Sequence, residues 1–111
     1  MGPTEDNPIG LVQRLSPNLT GTSRRYLRSL AHGLKPVVMV GHRGVTDNLV
    51  ANLESALLAH ELVKVKVHEG EEIEAVAESL HESTGAELAQ KIGHVLIFYR
   101  PHPENPQIKL P

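Results

Sequence analysis

The chain has 111 residues and a mass of 12.1 kDa, enough for one compact domain with some twenty residues to spare. With 40% apolar and 22% charged residues it is neither a disordered nor a fibrous chain. The absence of cysteine excludes disulfides, thiolate metal sites, iron–sulfur clusters and thiol nucleophiles.

Residues 1–21 are rich in proline, glycine and small polar residues. Leu11, Val12 and Leu15 give a short helical pattern that Pro17 stops, so the segment reads as a mostly flexible N-terminal arm. Ser23 is placed to cap a first helix running to His32. Tyr26, Leu27, Leu30 and Ala31 are expected to face inward, with Gly33 in the left-handed position that ends it. Pro36 then blocks helix, and Val37 to Val40 reads as a strand covered on both faces. After the loop Gly41-His42-Arg43-Gly44, Thr46 caps a second helix to about His60, with Leu49, Val50, Leu53, Ala56 and Leu57 as its apolar stripe. Val63 to His68 alternates strictly. Its valines face one way, and Lys64, Lys66 and His68 the other, so one face is wet or binds something. A third helix is predicted from about Glu71 to Ser83, ended by Gly85. Ala86 to Ile92 and His94 to Tyr99 read as strands of a hairpin turning at Gly93. The order is therefore α-β-α-β-α-β-β, an α/β fold with right-handed crossovers, parallel pairing between strands joined by helices, and an antiparallel last pair. Pro101 to Pro111 is a proline-rich tail that can lie on the surface but cannot form a central strand.

A net charge of −2 argues weakly against a nucleic-acid partner, but the charge is segregated. Between Asn7 and Thr46 there are six basic residues and no acid. Between Val67 and Gln90 there are seven acids and no base. The first half of the chain can attract an anion while the second keeps the total negative.

The Gly41–Gly44 loop joins a strand to a helix. Two glycines let the backbone approach a ligand, the helix start adds partial positive charge, and Arg43 adds a full one. RNA-binding KH domains clamp the sugar–phosphate backbone with a GxxG loop, but the same spacing also fits a plain strand-to-helix turn. Arg24, Arg25 and Arg28 lie on one side of the first helix, as phosphate contacts or as a solvated face. Lys64 and Lys66 are either further contacts or the guard of an exposed sheet edge.

None of the seven histidines stands four residues from another, and none begins an HExxH motif, so no metal site is expected. There is no GxSxG and no carboxylate pair in a recognisable catalytic frame. Three aromatics, Tyr26, Phe98 and Tyr99, are too few for a base-stacking platform. No apolar run approaches the ~20 residues of a membrane helix, and no stretch reads as a signal peptide. A cytoplasmic protein without cofactor or membrane partner is expected.

The stretch from Leu27 to Gly41 is closely similar to the opening of the CRM domain, named for chloroplast RNA splicing and ribosome maturation. Gly44-Val45-Thr46, His60 to Val67, Thr84-Gly85-Ala86, Ile92-Gly93 and Leu96 to Pro101 continue the resemblance over residues 22–101. A single short copy resembles the bacterial stand-alone, YhbY-type members. The resemblance implies a fold with a four-stranded mixed sheet, akin to the C-terminal domain of translation initiation factor three. It also implies a small, non-catalytic RNA-binding protein associated with precursors of the large ribosomal subunit. On that reading Gly41, His42, Arg43, Gly44 and Thr46 form the loop site. Arg24, Arg25, Arg28 and Lys35 follow the flanking phosphates, with Lys64, Lys66 and Arg100 as secondary contacts. The segment His68 to Glu72 departs from it by being acidic. The expected partner is structured ribosomal RNA in the precursor particle, bound by a monomer. The alternative is a protein-interaction module whose acidic third helix docks on a ribosomal protein.

Overall fold

A computed structural model describes residues 8–111; residues 1–7 of the expected arm lie outside them. Four helices and four strands follow in the order α1 (Pro8–Leu15), α2 (Gly21–Ala31), β1 (Val38–Val40), α3 (Asp47–His60), β2 (Leu62–Val67), α4 (Ile73–Thr84), β3 (Glu87–Ile92) and β4 (Val95–Tyr99). The strands form one mixed sheet in the order β1-β2-β4-β3. The β1–β2 pair is parallel; β2–β4 and β4–β3 are antiparallel. Only the α3 connection joins neighbouring parallel strands. The α4 connection carries the chain past one place, which β4 then fills.

The strict alternation of β2 divides the core in two. Val63, Val65 and Val67 join Val38, Val40, Leu96, Phe98 and Leu88 on one face, against apolar residues of α1, α3 and α4. Leu62, Ala89, Ile97 and Tyr99 form a smaller core with Leu27 and Ala31 of α2 on the other face. Leu27, Leu53, Leu57 and Leu80 are fully buried, and burying each such side chain contributes about 2 kcal/mol.

Where residues 8–20 were expected to be flexible, they belong to the packed domain. Leu11 and Val12 of α1 are buried in the larger core. The buried Ser16 hydroxyl accepts the Leu88 amide at 2.8 Å. That contact falls where the β3–β4 register shifts between Leu88 and Gln90. α1 covers a sheet edge that would otherwise display an unpaired donor.

The α2 boundaries also move. Thr20, not Ser23, is the N-cap, its hydroxyl accepting the Ser23 amide at 3.0 Å. The helix ends in tight turns at His32 and Leu34, and Gly33 is not among the positive-φ residues. Tyr26 and Leu30 are exposed rather than inward, because α2 meets the sheet through Ser23, Leu27 and Ala31 alone. It does not reach across β1. Val37 and Met39 therefore stand 57% and 60% exposed, and the outer face of β1 is open instead of covered.

At the α3–β2 corner Glu61 has φ +63° and is only 3% exposed. Its carboxylate accepts the backbone amides of His102 (2.7 Å), Ile108 (2.8 Å) and Gln107 (3.0 Å). Burial pushes its pKa up, but these three amides and the nearby His102 outweigh that and hold it below the ordinary 4.5. Tail residues Ile108 and Leu110 consequently pack on the smaller core.

Candidate nucleic-acid interface

The amide of Gly44 donates to Gly41 O at 2.9 Å, closing Gly41–Gly44 into a β-turn. Gly44 takes φ +71°, a conformation L side chains avoid, and a Cβ there would lie 3.2 Å from a carboxylate oxygen of Glu71. One loop amide is thus engaged within the turn. Those of His42 and Arg43 have no acceptor among the described residues. Thr46 follows in extended conformation, and its hydroxyl caps α3 by accepting the Leu49 amide at 3.1 Å. Met39, His42, Arg43, Thr46 and Asn48 frame a depression of about 390 Å³ over this loop.

The sheet register joins the loop to β2. Met39 is opposite Lys66, and His68 N bonds Val40 O at 2.8 Å. The His42 and His68 rings lie edge to face with centroids 6.3 Å apart. Because β2 lies between β1 and β4, Lys64 and Lys66 guard no sheet edge. They project from the face that α2 leaves open. Lys64 Nζ also donates to Leu34 O at 2.9 Å, tying the α2–β1 connection to the sheet. Lys35 is exposed at the other end of β1. Six residue steps of extended chain separate Lys35 from Gly41, a reach of ~20 Å.

The arginines of α2 divide. Arg24 is half-buried and donates to Leu19 O at 2.6 Å, fastening the turn before the helix. Arg25 and Arg28 are exposed and, with Ser29 and His32, outline a shallow hollow on the outer helix face. Arg100 leaves the candidate set. Its guanidinium donates to Thr84 O at 2.7 Å and pairs with Glu54 at 2.8 Å, clamping the end of α4 to α3. It is engaged in holding two helices together on the covered side.

Lys66, His42, Arg43 and the two free amides therefore come together at one end of β1, and Lys35 and Lys64 at the other. Sequence reasoning missed four members of this surface. The outer side chains of β1, Val37 and Met39, were assigned to the interior. His68 was not paired with His42. Glu71 was read as the start of the third helix within an acidic segment, although it lies against the loop. No cluster of three or more metal-ligating side chains occurs among the described residues, and no described helix is long and apolar enough to cross a membrane.

A family model for the CRS1 / YhbY (CRM) domain matches residues 19–100. The chain belongs to the CRM-domain family. It is 43% identical over 95 residues to the Bacillus subtilis protein named "Probable RNA-binding protein YqeI", covering 84% of this chain and 99% of that one. A Haemophilus influenzae protein named "RNA-binding protein" is 41% identical over 95 residues, with 84% and 95% covered. The solution structure of the hypothetical protein SAV1595 from Staphylococcus aureus superposes with a TM-score of 0.72 at 40% identity, covering 84% of this chain and 99% of that one. In this CRM domain α1 precedes the residues matched to the family, yet packs into the same core.

Proposed function

We propose that the protein is a non-catalytic RNA-binding protein that grips the sugar–phosphate backbone of folded RNA. The observation that carries this is the Gly41–Gly44 turn, two residues ahead of the cap of a 14-residue helix: among the described residues the His42 and Arg43 amides have no acceptor and the Arg43 side chain has no acid paired with it. The amides and the partial positive charge of the helix start favour one phosphate. Arg43 neutralises it, and Lys66, Lys35, Arg25 and Arg28 follow the flanking ones. Arg24 and Thr46 support the site, Arg24 by fastening the turn before α2 and Thr46 by capping α3. Because phosphate contacts position without specifying, the RNA is read by its shape. The relatives' names support RNA as the partner class. Within that class we assign the chain to assembly of the large ribosomal subunit, acting as a cytoplasmic monomer on precursor ribosomal RNA. The other reading, in which acidic α4 docks on a ribosomal protein, loses one of its carboxylates, because Glu78 is engaged by Arg14 of α1.

The test is affinity for a structured ribosomal RNA fragment across a salt series. Four to six phosphate contacts give a slope of log K against log salt of roughly −3 to −5. Arg43→Glu is expected to weaken binding and make the slope shallower. A flat slope in the wild type would sink the proposal.

A further inference from the structure

We infer that the apolar cleft between α2, β1 and the C-terminal tail seats one unpaired nucleobase of the bound RNA. This rests on the backbone-gripping reading above and extends it to a second, chemically different contact. The cleft encloses about 430 Å³, within the ~300–1,000 Å³ typical of small-molecule sites. Its apolar lining is Leu30, Leu34, Val37, Leu62, Val63 and Ile108. The charged groups that line it are Lys35 and Lys64, with His60 beside them; no acid does.

Both properties are needed. An apolar slot with a cationic rim accepts a flat, uncharged ring attached to a phosphodiester, while the rim repels cationic peptides. Its position also fits. Lys35 and Lys64 stand where β1 begins and the Gly41–Gly44 turn stands where it ends, so one strand of RNA lying along β1 meets both. The open outer side of Val37 and Met39 forms the surface between them. No aromatic ring lines the cleft, so the contact is aliphatic side chain against base face, and it discriminates weakly among the four bases.

The full chain is titrated with a labelled oligouridylate and with an abasic ribose–phosphate oligomer of equal length, each at two salt concentrations. The base-bearing oligomer is expected to bind about tenfold more tightly, the worth of burying ~50–60 Å² of ring surface. The Leu30→Ala/Leu34→Ala double variant should bring the ratio close to one while leaving the salt slope intact. These leucines are 39% and 41% exposed, so the variant keeps its fold. An oligomer carrying 4-thiouridine should crosslink to peptides containing Leu34, Val37 or Lys64. Equal affinities with a steep salt slope would overturn the cleft and leave the backbone grip standing. No binding to either oligomer would overturn the cleft, and the salt series on the structured fragment then decides the backbone grip by itself. A base preference untouched by the leucine changes would put the base elsewhere. A leucine-dependent dimer in sedimentation would assign the cleft to a second copy and reject the inference.

Discussion

Glu71 sets an acid against the loop proposed to take a phosphate. Its carboxylate oxygen lies where a side chain on Gly44 would have to go. Unit charges a few ångströms apart at a wetted surface interact by about 1 kcal/mol or less. Glu71→Gln is therefore expected to tighten RNA binding about threefold at low salt, an effect that fades as salt rises. Filter binding at two salt concentrations would check it, and an unchanged affinity would mean that no phosphate approaches Gly44. Glu61 is the opposite case, a carboxylate with three amides to satisfy it. Its pKa is lower folded than unfolded, so its stabilisation is complete above the unfolded value near 4.5 and is lost as pH falls through the folded one. Thermal melts between pH 7 and pH 3 should show that loss in the wild type. Glu61→Gln should lower stability at pH 7 by about 1–3 kcal/mol and flatten the acid limb of the profile.

At the level of elements, the legible parts were those with local signals. Thr46 and Gly85 bound α3 and α4 within two residues of where their patterns end, and the alternation of β2 sorts its side chains correctly. Two elements were misread because tertiary packing, not local pattern, decides what covers them. An isolated eight-residue helix is marginal in water, and nothing near Leu11, Val12 and Leu15 announces that they pack against β3, some seventy residues on. A run such as Val37 to Val40 cannot itself say whether one face or two will be covered. That depends on how far α2 extends sideways. Of the candidate site, the loop and its neighbouring cations could be read from spacing, whereas the engagement of Arg24 and Arg100 by backbone carbonyls could not. The α1 connection is testable through Ser16. Ser16→Ala leaves the Leu88 amide buried without its acceptor and is expected to cost about 1–3 kcal/mol. Denaturant unfolding would measure it, and a wild-type midpoint would show that water replaces the hydroxyl.

Over the whole molecule, charge segregated along the chain becomes charge segregated in space. The exposed cations of α2, of β2 and of the segments flanking β1 border the open side of the sheet, while the glutamates of α4 belong to the helical layer on its other side. A small, slightly negative protein can thus turn a positive side toward a polyanion, and its near-neutral total limits indiscriminate attachment. The tail held by Glu61 has a further consequence, in time rather than in space. Ile108 supplies part of the cleft wall, and its amide is one of the three that satisfy Glu61. A nascent chain that has reached β4 has every strand of the sheet but not that wall, and the Glu61 carboxylate still lacks its partners. The cleft closes only after Ile108 has been made, so the surface proposed to bind RNA is completed last in synthesis.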